Sequence, residues 1–161
     1  MSARVILVCG KICSGKSTYT EKIRLQTGAV VLSCDELALT VFGDDLGDRH
    51  DETLARVQKY FYGKAVEVIE VGTSVILEWG FWRKADRSYA RSFFESRGIP
   101  CEVHYIDVSA QQWERNIAKR NAAVAQGEAM GYFVDEGLRE KLMGLFEEPE
   151  DSEIDVRVTV G

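Results

Sequence analysis

Residues 5–23 read VILVCGKICSGKSTYTEKI. An apolar, largely β-branched run, Val5 to Val8, breaks off at Gly10, and Gly15-Lys16-Ser17 leads into a segment fit for a helix from Lys16 to Gln26. Gly10 to Ser17 matches G-x-x-x-x-G-K-[ST], a pattern expected roughly once in 30,000 positions at ordinary residue frequencies. Its glycines let the backbone turn so that successive N–H groups converge on phosphate oxygens. Lys16 offers a mobile positive charge, the Ser17 hydroxyl can ligate Mg²⁺, and the following helix aims its positive end at the same place. Gly10, Lys11, Ile12, Cys13, Ser14, Gly15, Lys16, Ser17 and Thr18 are therefore the expected ATP-binding residues.

Outward from this loop, apolar runs and helical periods alternate. Val30-Val31-Leu32 forms a second strand, ending at Ser33-Cys34-Asp35. Leu54, Val57, Phe61, Ala65 and Val68 share one face of a helix over 49–71, which Gly72 closes. Val75-Ile76-Leu77 is a third strand, leading into Glu78-Trp79-Gly80. A helix over about 84–97 should turn Ala85, Tyr89 and Phe93 inward, and Gly98-Ile99-Pro100 stops it. Val103 to Val108 gives a fourth strand, and Ser109 with Gln112 can cap the helix carrying Trp113 and Ile117. Val134, Leu138, Leu142 and Leu145 mark a last helix, and Val156, Val158 and Val160 alternate with polar residues in a fifth strand. The pattern predicts one α/β domain over residues 1–161, a three-layer fold with a mostly parallel five-stranded sheet and helices on both faces. Ligands in such folds bind beyond the C-terminal ends of the strands.

Whole-chain properties narrow the function. At 161 residues the chain suits a single core, and 45% hydrophobic with 29% charged residues is ordinary for a soluble protein. No apolar run approaches the length needed to cross a bilayer, and the N-terminus reads as a strand rather than a signal peptide. Cys9, Cys13, Cys34 and Cys101 lack zinc-site spacing and read as reduced thiols, which suits a cytoplasmic location. A net charge of −6, with Glu147, Glu148, Glu150, Asp151, Glu153 and Asp155 near the end, argues against non-specific nucleic-acid binding.

Strand-end residues carry the candidate chemistry. Asp35 can accept a proton from an acceptor hydroxyl or cap a helix beginning at Glu36. Glu78 can hold Mg²⁺ directly or through water, activate a water, or be a solvated acid. Arg115, Lys119 and Arg120 fall on or near one face of a helix in a short lid over about 113–132, able to offset phosphoryl charge or to form a solvated basic face. Arg83 and Arg87, just past the third strand, are further candidates to reach a substrate pocket. Trp79, Phe81 and Trp82 can wall an acceptor pocket or roof the sheet. For His50 and His104 a structural role is the default, and Cys13 is either a thiol of lowered pKa or a small filler.

With the loop, "SCDE" and "VILEWGFW" in place, the chain resembles the P-loop kinase-like ATP-binding proteins, which include zeta toxins, polynucleotide 5′-kinases, gluconate kinases and chloramphenicol phosphotransferases. It is most similar to small bacterial members labelled AAA-family ATPases, over essentially its full length, including "GIPCEVHYIDV", "ERNIAKRN" and "YFVDEG". The resemblance implies ATP with Mg²⁺ and phosphoryl transfer to a hydroxyl, a base or orienting role for Asp35, and phosphate contacts by Arg115 and Arg120. Lys16, Asp35, Arg115 and Arg120 are then the catalytic set, with Ser17 and Glu78 for the metal. Ala38 stands where the polynucleotide-kinase pattern has arginine, which disfavours a nucleic-acid acceptor, and Ile12-Cys13 replaces the Pro-Gly of many relatives. The expectation is a kinase for an unidentified small molecule; the alternatives are an ATPase switch acting on a protein partner, or a polynucleotide kinase.

Overall fold

The computed structural model describes residues 2–43, 46–128 and 133–161. Its centre is β1 (Val5–Cys9), whose five residues are all fully buried. A strand covered on both faces has no wet side to alternate with, which is why VILVC reads as an unbroken apolar run. Around it lie β2 (Val30–Ser33), β3 (Val75–Gly80), β4 (Cys101–Val108) and β5 (Val156–Val160), in the order β2-β3-β1-β4-β5, every neighbouring pair parallel. The chain builds one side of β1 first and then crosses to the other. The strand order therefore switches at β1, and the Gly10–Gly15 loop leaves from that point.

Alternation along β1 divides the core into two layers. Ile6 and Val8, with Ile76 and Ile106, meet Tyr19 and Ile23 of α1 (Lys16–Thr27). Val5, Leu7 and Cys9, with Val75 and Leu77, meet Tyr62 and Ala65 of α3 (His50–Glu70) and Ala90 and Phe94 of α4 (Lys84–Glu95). Each buried Leu, Ile or Phe contributes roughly 1.5–3 kcal/mol relative to exposure. α5 (Ala110–Ala125) and α6 (Glu136–Leu145) close the far side, Trp113 and Ile117 packing with Val108, Val134 and Leu138.

Two expectations are corrected. The helix considered from Glu36 onward is α2 (Cys34–Phe42), which starts two residues earlier; Ser33 rather than Asp35 caps it, its Oγ accepting from the Glu36 N–H at 3.3 Å. The face of α4 is also rotated. Ala85 and Tyr89 are exposed and Phe93 is half-buried, whereas Arg87, Ala90 and Phe94 point inward. The reason is Arg87, only 2% exposed, which holds Glu153 at 2.9 Å and donates to the Phe81 carbonyl at 2.8 Å. A pairing with a residue 66 positions away is invisible to local hydropathy.

The acidic C-terminal run is locally balanced. Lys84 pairs with Glu150, Arg91 with Asp155, and Arg157 with both Asp151 and Asp107. These pairs tie β5 and its approach to α4 and β4. No helix among the described residues is long and apolar enough to cross a membrane.

Candidate functional site

The loop after β1 is shaped by two left-handed residues, Gly15 at φ 102° and Cys13 at φ 58°. Cys13 thus takes the conformation that glycine takes freely, at a steric cost of roughly 1–2 kcal/mol. A Cβ on Gly10 would stand 2.7 Å from Ser14 Oγ, so the loop's entry requires glycine.

The carbonyls of Gly10, Lys11, Ile12 and Cys13 are all engaged. Gly10 O accepts from Lys16 Nζ at 3.1 Å and from Trp82 Nε1 at 3.0 Å, and Lys11 O from Lys16 Nζ at 2.8 Å and the Ser14 N–H at 3.2 Å. Ile12 O accepts from Trp113 Nε1 at 2.6 Å and Cys13 O from Asn116 Nδ2 at 2.9 Å. By contrast, the N–H groups of Gly15, Lys16, Ser17 and Thr18 have no acceptor among the described residues. α1 also lacks both a side-chain cap and an acid in its first turn. A concave set of unpaired N–H donors at a helix's positive end is an anion site.

Lys16 sits within this loop. Burial lowers its pKa, and the carboxylates of Asp35 and Glu78 work against that shift. Ser17 Oγ donates to Glu78 Oε1 at 3.1 Å, joining the first turn of α1 to the end of β3. Glu78 has its pKa raised, burial being the largest cause, with the Ser17 hydroxyl and the Lys16 charge opposing it. Asp35 lies exposed in the first turn of α2. Because Ser33 holds the cap, Asp35 is not needed there and makes no hydrogen bond among the described residues. Lys16, Ser17 and Asp35, just past β1 and β2, thus gather with Glu78 near the C-terminal end of β3.

The basic residues of α5 do not share one face. Trp113, Asn116 and Arg120 line the face toward the loop, with Arg120 Nη1 4.0 Å from Cys13 Sγ and the Lys11 ammonium 4.1 Å from the Trp113 ring centre. Arg115 lies five residues before Arg120, about 140° around a 3.6-residue helix. It is exposed, as is Lys119, away from the face that Trp113 and Asn116 fix. The stretch from Trp113 is anchored through that tryptophan and Ile117; the expected lid's last residues, 129–132, lie outside the described residues.

The remaining candidates fall into structural places. Trp79 stacks between Phe61 and Phe81. It also lines, with Tyr62, Tyr89 and Phe93, a cleft of about 480 Å³ between α3 and α4. Phe81 is buried, Trp82 reaches the loop, and Arg83 is exposed at the cap of α4. His104 is buried with Nδ1 2.6 Å from the Tyr19 hydroxyl, and His50 begins α3 beside Asp51. Sequence reasoning missed Asn116 and the loop contacts of Trp82 and Trp113; their only signal was polar tips on residues flanking strand ends.

The donors of the site suit Mg²⁺. Ser17 Oγ and Glu78 Oε1 are hard oxygens within one hydrogen bond of each other, beside free N–H groups suited to phosphate. A hydroxyl, a carboxylate, phosphate oxygens and water form a donor set that fits the ion. Among the described residues no cluster of three or more His, Cys, Asp or Glu offers an all-protein cage.

Comparison with known proteins agrees with this geometry. A family model described as AAA domain matches residues 5–148. No curated protein sequence matches the chain. Among solved structures, a kinase candidate from Chloroflexus aurantiacus is similar with a TM-score of 0.73 and 18% identity, over 99% of this chain and 88% of the other. The APS kinase of Mycobacterium tuberculosis, in complex with AMPPNP and APS, gives 0.65 and 22% over 98% and 88%. A gluconokinase of Sinorhizobium meliloti gives 0.62 and 16% over 98% and 83%. At such identities the likeness carries the fold, the three-layer α/β fold of the P-loop kinases.

Proposed function

Because the chain belongs to the AAA domain family, we propose that it is an ATP-dependent kinase that transfers the γ-phosphate to a hydroxyl of a small-molecule acceptor. The observation that supports this most is the gathering of Lys16, Ser17 and Glu78 at the loop, with the carboxylate of Asp35 acting on Lys16 from α2. Structures of the same fold include an APS kinase, a gluconokinase and an RNA repair complex, so the preference for a small molecule over a polymer rests on the net charge of −6 and on Ala38.

Phosphoryl transfer asks a protein mainly for positioning and charge. Within the loop of residues 10–18, the free N–H groups of Gly15, Lys16, Ser17 and Thr18 bind the phosphates, and Lys16 moves its charge onto the outer phosphate oxygens. Ser17 and Glu78 would hold Mg²⁺, which when bound offsets negative charge on the phosphates. Asp35 orients the acceptor hydroxyl and accepts its proton. Arg120, next to Cys13, reaches the loop from above, and Arg115 would join it only through a rearrangement of α5. Lys16→Ala is expected to abolish ATP-dependent transfer, and Asp35→Asn to slow it ~10²-fold while sparing ATP binding. Full activity in the first variant contradicts the proposal.

A further inference from the structure

The Lys16 ammonium rests on two loop carbonyls, Gly10 O at 3.1 Å and Lys11 O at 2.8 Å. An ammonium has three donors, so swinging onto phosphate oxygens releases at least one of these carbonyls. A buried carbonyl left without a donor is costly. Each of the two has a second donor in place: the Ser14 N–H on Lys11 O at 3.2 Å, and the Trp82 indole N–H on Gly10 O at 3.0 Å.

The Trp82 donor is held firmly. Gly80, at φ 83°, returns the loop's hydrogen bond, its carbonyl accepting from the Gly10 N–H at 3.0 Å. A Cβ there would meet Trp82 Nε1 at 2.5 Å, so only glycine lets the indole lie across the turn. Phe81 is left-handed at φ 47°, and its carbonyl is fixed by Arg87 Nη1 at 2.8 Å. The Trp82 carbonyl accepts from the Glu147 N–H at 2.7 Å. Four consecutive residues, Trp79 to Trp82, thus place one core ring and one indole N–H aimed at the phosphate loop.

We propose that Trp82 is a positioning residue for nucleotide binding: its indole N–H keeps Gly10 O satisfied when Lys16 leaves that carbonyl for phosphate. The inference rests on the nucleotide reading above and adds to it a residue outside the loop motif. In the free protein Gly10 O has two donors, so the indole N–H is spare there. With nucleotide bound it carries the carbonyl alone.

The test compares Trp82→Phe, which keeps a ring and removes the donor, with wild type. Melting temperature is measured with and without ATP·Mg²⁺, and Kd by calorimetry. The expected result is a melting temperature within about 2 °C of wild type in the free variant, a smaller ATP-induced rise, and a Kd raised about tenfold. An unchanged Kd, or equal melting-temperature losses in free and bound protein, overturns the inference and makes Trp82 a packing residue. A wild-type protein that shows no ATP-induced rise overturns the nucleotide reading itself, and the two failures are thereby told apart. Should Trp82→Phe not fold, the wild-type indole N–H resonance of Trp82 decides: ATP·Mg²⁺ should move it downfield and protect it from exchange, and loss of that protection contradicts the role.

Discussion

Ser17 Oγ donates to Glu78 Oε1 across 3.1 Å, so the first turn of α1 and the end of β3 share a hydrogen bond although the residues are 61 positions apart. That contact links the phosphate loop to the strand-end acid, and it makes the protonation state of Glu78 measurable. Burial raises the pKa of Glu78 above the ordinary 4.5. A carboxyl raised in the folded state binds its proton more tightly there than in the unfolded chain. Its contribution is present below the unfolded value and is lost as pH rises through the raised one. Glu78→Gln should therefore be less pH-sensitive than wild type over that window, gaining relative stability as pH rises, in chemical denaturation without metal. Parallel curves for the two proteins would mean that Glu78 is solvated.

Cys13 is the cysteine that is only half-buried, whereas Cys9, Cys34 and Cys101 are buried. A maleimide should modify one thiol rapidly in the folded protein, and peptide mapping should find it at Cys13. ATP·Mg²⁺ should slow that labelling at least ~10-fold, since a ligand on the loop occludes it while bound. Labelling indifferent to ATP would speak against phosphates resting on residues 10–18.

Much of this was legible in the sequence, for reasons that vary by residue. The unbroken run Val5 to Val8 announced a strand covered on both faces, and the loop motif fixed where a helix must start. Local patterns failed where a distant partner decides orientation. Arg87 is charged yet buried because Glu153 and the Phe81 carbonyl receive it, and this turned α4 away from its expected face. α2 was signalled only by a capping residue, because Leu37, Ala38 and Leu39 give no clear helical stripe over so short a stretch. Arg115 and Arg120 looked like partners by spacing, but Trp113 and Asn116 set which side of α5 meets the loop.

The Arg87 pair gives a stability prediction. Burial raises the Glu153 pKa, but the Arg87 hydrogen bond and the Glu150 backbone outweigh it and hold it below 4.5. Its contribution is thus present above the ordinary carboxyl value and lost as pH falls through the lowered one. Arg87→Ala should cost ~3–5 kcal/mol in urea unfolding at neutral pH, because it strands a carbonyl and an acid. The loss should shrink as the solution is acidified. A change under ~1 kcal/mol would mean that the pair is replaceable by water.

Ser33 and Asp35 separate structure from chemistry in α2. Ser33→Ala removes the cap and should destabilise the protein by ~1 kcal/mol. Asp35→Asn, exposed and outside the cap, should fall within ~0.5 kcal/mol of wild type. A larger loss at Asp35 in thermal melts would return that residue to a structural role.

Following γ-labelled phosphate from ATP, with Mg²⁺, into a broad pool of hydroxyl metabolites, with Asp35→Asn beside the wild type, separates a kinase from an ATPase. Wild type should form a labelled metabolite that the variant forms far more slowly, which also identifies the acceptor. Free phosphate alone, released equally by both proteins, would contradict the kinase reading and make the chain an ATPase.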